Sequence, residues 1–180
     1  SFRFLMMSSP LTNGEDFALA DKDVADAARK LSMIWNVFDF FTLYAEVDGW
    51  EWNGSIEDPS AECQNVLDIW ILSKIHALIN DVNRATEGYD LQSSSRLFLP
   101  FIDELSNWYV RRSRKRFWKS DDDSDKALAY KTLHYVLVQL SHVIAPFTPF
   151  LAEELYRNLT DGESVHLRDW PEAGVINDKV

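Results

Sequence analysis

Cysteine is almost missing from this chain: Cys63 stands alone among 180 residues. A single thiol cannot close an internal disulfide or supply a cysteine-based zinc site, and a reducing cytoplasmic setting fits. Proline and glycine number six each, too few for a disordered chain. No apolar run reaches the ~18 residues a membrane span needs, so no transmembrane helix is expected and no membrane is expected as a partner. The opening residues, Ser1-Phe2-Arg3-Phe4-Leu5-Met6-Met7, have no charged n-region, no long apolar stretch and no cleavage site. They also lack an initiator methionine, so processing or excision from a longer polypeptide is expected. Positive charge is scarce as well. With 18 Lys and Arg against 29 Asp and Glu, the formal net charge is −11, which argues against a general nucleic-acid coat protein.

What is abundant is apolar and helical. Hydrophobic residues make up 46%, with seven Trp and eleven Phe, enough to bury one core, in one domain or one domain plus an appendage. Residues 1–20 read as a short helix and a loop carrying Pro10, Asn13 and Gly14. Asp21 is a candidate N-cap for a helix to about Ala45, with Val24, Ala27, Ala28, Leu31, Ile34, Trp35 and Phe38 at spacings of 3 and 4. Residues 47–62 form an acidic loop with Trp50 and Trp52, which are expected to fold back onto the helices. A second helix runs from about Cys63 to Thr86 and stops at Gly88. A third, capped by Asp90, reaches Trp118 with a bend near residues 96–100 imposed by Pro100. A fourth covers about 125–145 and stops at Pro146. Thr148-Pro149 opens a fifth, to about Leu159. The expected fold is all-α, an antiparallel bundle of about five helices with a short irregular C-terminal tail. The expected division is a connecting segment over 1–20, the bundle over 21–160 and the tail over 161–180.

One segment departs from the acidic background. Arg111-Arg112-Ser113-Arg114-Lys115-Arg116-Phe117-Trp118-Lys119 holds six of the 18 basic residues, and no acid occurs between Glu104 and Asp121. The other 171 residues carry 12 basic and 29 acidic side chains. A dense cationic patch in a body that repels polyanions elsewhere suits one specific polyanion. The aromatics within and just before it favour RNA with unstacked bases. On a helical wheel of about 100° per residue, Phe98, Phe101, Ile102, Leu105, Trp108 and Tyr109 share one face, predicted to be core. The same stripe then carries Arg112, Arg116 and Lys119. Unpaired cations cannot enter a packed core, so the helix is expected to project past the bundle or border a groove after Tyr109.

Three readings of the run stay open: RNA binding, intramolecular ion pairs, and an acidic protein partner docked or self-associated on the basic helix end. Under the first, Arg111, Arg112, Arg114, Lys115, Arg116 and Lys119 contact phosphates or base edges. Phe117 and Trp118 stack on bases or pack on the bundle, and Asn107, about 160° from the core direction, donates to RNA or is simply solvated. His134 and His142 lie eight residues apart on one helix, roughly 12 Å along its axis, too far to share a metal ion. Asp103-Glu104 and Glu153-Glu154 are neighbours that do not face each other. No P-loop, nucleophile elbow or metal cluster is present, so no catalytic residue and no metal ligand are assigned.

The segment Phe101-Ile102-Asp103-Glu104-Leu105-Ser106-Asn107-Trp108-Tyr109-Val110-Arg111-Arg112-Ser113-Arg114-Lys115-Arg116-Phe117-Trp118 resembles the signature of the anticodon-binding domain of isoleucyl-tRNA synthetases, in the class Ia group with the valyl and leucyl enzymes. Ser8-Ser9-Pro10 with Gly14-Glu15-Asp16, Trp35-Asn36 with Phe40-Phe41, Asp68-Ile69-Trp70-Ile71-Leu72-Ser73, Ile144-Ala145-Pro146-Phe147-Thr148-Pro149-Phe150-Leu151-Ala152-Glu153-Glu154, Ser164-Val165-His166-Leu167 and Asp169-Trp170-Pro171 are similar to further blocks of that family, in the same order. The resemblance implies a helical bundle that receives the anticodon stem-loop of isoleucine tRNA. Its implied partners are that tRNA and a catalytic domain of the same polypeptide. It implies a parent ligase that joins isoleucine to tRNA with ATP and Mg. The His-x-Gly-His and Lys-Met-Ser-Lys signatures of the ATP site are absent, so no cofactor is expected within these 180 residues. The chain is expected to begin just after the catalytic domain and to stop before any C-terminal appendage. The equivalent domain of a valyl or leucyl enzyme is the near alternative.

Overall fold

A computed structural model describes residues 1–119 and 123–177, with the Lys119 side chain outside that description. All regular structure among the described residues is helical. The order is α1 (Phe2–Ser8), a 3-10 turn (Pro10–Asn13), α2 (Asp21–Asp48), a second 3-10 turn (Pro59–Ala61), α3 (Val66–Glu87), α4 (Leu91–Arg96), α5 (Phe98–Asp103), a π-turn (Glu104–Val110), α6 (Arg111–Lys119), α7 (Asp123–Ile144), α8 (Pro149–Leu159) and a last 3-10 turn (Val165–Leu167). The expected five rods are α2, α3, the α4–α6 rod, α7 and α8.

Local chemistry sets the ends. Asp21 is the first residue of α2 rather than its cap; the cap position is Ala20, whose N–H donates to Asp23 Oδ2 at 3.1 Å. A carboxylate inside the first turn reaches back, as in a capping box. α2 continues to Asp48 and closes on Gly49, whose φ of 65° suits a residue without Cβ. α3 starts later than Cys63 because Asn65 caps it, with Oδ1 accepting from Leu67 N–H at 3.0 Å. Asp90 caps α4 as expected, accepting from Ser93 N–H at 2.9 Å. The expected bend falls at Leu97, between α4 and α5. Pro100 has no N–H to offer the carbonyl four residues earlier, so the rod breaks one turn before it. Thr148 opens α8, yet its hydroxyl donates back to the Ile144 carbonyl at 3.3 Å instead of capping.

α7 is the central rod, flanked by α2, α3, α6 and α8. Its inner face, Leu133, Val136, Leu137, Leu140, Val143 and Ile144, which apolar spacing alone picks out, is buried throughout, each side chain contributing about 1.5–3 kcal/mol of burial. The acidic loop folds back as expected. Trp50 stacks on Tyr130 and meets Phe41 edge-on, while Trp52 stacks over His134. The tail lies along α3: Trp170 Nε1–H donates to Asn83, Gly174 N–H to His76 Nδ1 at 2.9 Å, and Asn177 N–H to Ser73 Oγ at 3.1 Å. With Nδ1 accepting, fully buried His76 carries its proton on Nε2 and donates it to Asp58 Oδ2 at 2.9 Å. No helix among the described residues is long and apolar enough to cross a membrane.

Candidate nucleic-acid interface

The basic segment is aimed by the π-turn. From Phe98 to Leu105 the buried positions are Phe98, Phe101, Ile102 and Leu105; from Tyr109 onward they are Tyr109, Val110, Ser113 and Phe117. An unbroken α-helix carries the first set on to 112 and 116. A π-turn inserts one residue, so everything after it lags by one position, about 100° of rotation. The core stripe therefore passes to Ser113 and Phe117, and Arg112 swings out to solvent. Of the two expectations for the helix after Tyr109, projection past the bundle is corrected: α6 stays packed on α7, and rotation exposes its cations.

Arg111, Arg112, Arg114 and Lys115 are exposed, and among the described residues none of the four makes an ion pair. The Arg112 guanidinium lies over the Trp108 ring, its Cζ 3.7 Å from the centroid, and Arg114 approaches Phe40 at 5.8 Å. Trp118 is 69% exposed. Asn107 is exposed and donates to Asp103 Oδ1 at 2.8 Å, which holds its amide on the helix surface. The Lys119 side chain, also expected at this face, lies outside the described residues, as does most of the acidic run that follows it.

Two of the expected contacts sit elsewhere. Phe117 is 1% exposed and meets Phe40 and Tyr130 edge-on at 5.2 and 4.9 Å, so it is core and has no face to offer a base. Arg116 is an internal tie. Its guanidinium forks onto Asp68, with both N–O distances 2.7 Å, and onto Asp125, with Nε and Nη2 each at 2.7 Å. The Tyr109 hydroxyl donates to the same Asp68 oxygen at 2.7 Å. The side chains of Arg116 and Asp68 are 12% and 1% exposed. Burial opposes the charge on Arg116, but its hydrogen bonds to Asp68 and Asp125 outweigh that and hold it protonated beyond its ordinary range. Burial and the Asp68 charge push the Tyr109 phenol well up, so it stays a donor. Intramolecular pairing thus accounts for Arg116 alone among the described cations of the run.

Trp108, predicted to be core with Tyr109, is instead 45% exposed, because the π-turn separates the two. Trp70 of α3 stands beside it, centroids 6.5 Å apart. Reading the rod in two halves would have found this, since 109, 113 and 117 keep helical spacing in a register offset from 98, 101, 102 and 105.

Elsewhere, a cleft of about 410 Å³ opens between the acidic loop and α7, lined by Trp50, Trp52, Glu57, Lys131, His134 and Tyr135 among others. His134 gives Nε2–H to the Leu159 carbonyl at 2.7 Å, and burial pushes its pKa down despite that acceptor. Among the described residues no nucleophile–base hydrogen bond involves it. No group of three or more His, Cys, Asp or Glu among the described residues is placed to hold a metal ion.

Residues 68–179 match the family described as the anticodon-binding domain of tRNA ligase. The chain is 43% identical over 178 residues to an isoleucine–tRNA ligase of Dehalococcoides mccartyi, covering 94% of this chain and 17% of that protein. It is 45% identical over 160 residues to the isoleucine–tRNA ligase of Clostridium novyi, covering 85% and 15%. It is 41% identical over 177 residues to isoleucine–tRNA ligase 2 of Bacillus anthracis, covering 98% and 16%. The chain spans about a sixth of the length of these curated relatives.

Proposed function

This chain belongs to the anticodon-binding domain family of tRNA ligases, and from that premise we propose that it holds the anticodon arm of isoleucine tRNA on the outward face of α6. The supporting observation is the set Arg111, Arg112, Arg114 and Lys115, exposed and without ion pairs among the described residues, in a chain of net charge −11. Such a set attracts one polyanion to one place and repels it from the rest. Asn107 and Trp118 flank it and supply a donor and a stacking ring. The side chains of Arg116 and Phe117 are occupied inside the bundle and drop out of the contact set. Lys119 remains in the set on sequence grounds.

The finer reading follows the relatives' names. The longer polypeptide joins isoleucine to its tRNA in the cytoplasm, and ATP and Mg act in a catalytic domain of that polypeptide.

The test is charge reversal where it cannot unfold the bundle. Arg112→Glu with Arg114→Glu changes two exposed side chains. The double variant is expected to keep its thermal melt and to lose most of its affinity for an isoleucine anticodon stem-loop. The slope of log K against log salt should fall by roughly 0.7–0.9 for each phosphate contact removed. Affinity that survives the double reversal would move the site off α6.

A further inference from the structure

Trp108 and Trp70 are not part of the cationic set, yet they are the most organised feature beside it. Trp108 is 45% exposed, although Trp is a large apolar residue whose burial is favourable. The π-turn that exposes it also delivers Arg112 onto its face at 3.7 Å. Trp70 meets Trp108 from α3 at 6.5 Å, and Lys74 Nζ lies 5.5 Å from the Trp70 ring while pairing with Glu104 at 2.9 Å. The result is a chain of planar groups from α3 to α6: Trp70 meets Trp108 at an interplanar angle of 56°, and the Arg112 guanidinium sits over Trp108. Arg112 makes no hydrogen bond or ion pair among the described residues, so its N–H edge is uncommitted and its outer face is open.

A guanidinium held over an indole has given up rotamer freedom before any ligand arrives, which lowers the ordering cost of binding. Its free face matches the face of a nucleobase, and its free edge matches a phosphate or a guanine edge. We propose that Trp108 is a positioning residue for Arg112, and that the Trp70–Trp108–Arg112 row is a stacking platform for one unpaired base of an RNA loop. This rests on the anticodon-arm reading above and extends the interface from α6 onto α3.

The experiment uses this 180-residue chain and a fluorescent isoleucine anticodon stem-loop. Trp108→Leu removes the plane under Arg112, Trp108→Tyr keeps a plane, and Arg112→Lys keeps the charge but not the plane. Trp108→Leu and Arg112→Lys are each expected to weaken binding about tenfold, at the low end of what base stacking contributes. The salt slope should stay unchanged, since no charge is lost. Trp108→Tyr should restore most of the affinity. One loop nucleotide, made abasic, should weaken the parent protein by a similar factor and leave Trp108→Leu unaffected. Wild-type affinity in both Trp108→Leu and Arg112→Lys, with the parent protein binding normally, overturns the platform and leaves the α6 site intact. A parent protein that binds no stem-loop at low salt overturns both.

Discussion

Replacing Arg116 by Met separates two roles that look identical in the sequence. Arg116 sits in the basic run, but its guanidinium is the partner of a carboxylate that is 1% exposed. Met fills similar volume and removes the charge. Among the described residues Asp68 then keeps only the Tyr109 hydroxyl, having lost two bonds of 2.7 Å. Asp125, at 30% exposure, can turn to water; Asp68 cannot. Removing one partner of a buried pair costs about 3–5 kcal/mol, because the other charge is stranded. For a chain of this length that is a fall in Tm of roughly 6–20 °C. Urea unfolding followed by circular dichroism should show a lower midpoint at constant m. Adding Asp68→Asn removes the stranded charge while keeping an acceptor for Tyr109, and the double variant should recover part of the loss. A single-variant cost below about 1 kcal/mol, or a double variant whose cost is the plain sum of the two singles, would refute the reasoning. Arg112→Met should leave the midpoint nearly unmoved.

Burial, and secondarily the Arg168 charge, push His142 down to about 4. Its folded pKa is therefore below its unfolded value near 6.5, so the unfolded chain binds the extra proton. Stability is full above about pH 6.5 and is lost as pH falls toward 4, by about 2 kcal/mol after allowing for partial solvent screening; His142→Phe, which keeps a ring beside Tyr156, should flatten that part of the pH–stability curve. Gly174→Ala would put a Cβ 2.7 Å from Asp58 Oδ2 and 2.9 Å from the His76 ring, so the tail should lift from α3 at a cost of about 1–3 kcal/mol, seen as faster amide exchange at Gly174. Ser113 is fully buried and its hydroxyl has no hydrogen-bond partner among the described groups. Ser113→Ala should accordingly be neutral or slightly stabilising in a thermal melt and leave stem-loop affinity alone, despite its place in the middle of the run.

Much of the architecture was legible because it is written in local chemistry. Gly88 and Pro146 end their helices where they stand, Asp90 caps, and Pro100 breaks the rod at Leu97. The inner face of α7 follows from apolar spacing alone. The π-turn was not legible, because one extra residue changes no composition and Glu104–Val110 also fits an α stripe. That single insertion decided which aromatic was core: Trp108, expected there, is exposed, and Phe117, open between stacking and packing, is buried. The Asp68–Arg116 tie spans 48 residues. With 29 acids in the chain, charge pattern alone could not choose the partner that removes Arg116 from the contact set.

The central claim is that α6 presents a cationic face to one RNA loop. The most direct measurement is fluorescence anisotropy of the isoleucine anticodon stem-loop, beside a stem-loop with a swapped anticodon, at two salt concentrations. The expected result is saturable binding that weakens steeply with salt and favours the isoleucine loop. Equal, salt-sensitive binding of both loops would reduce α6 to an electrostatic handle, and no binding at low salt would contradict the claim outright.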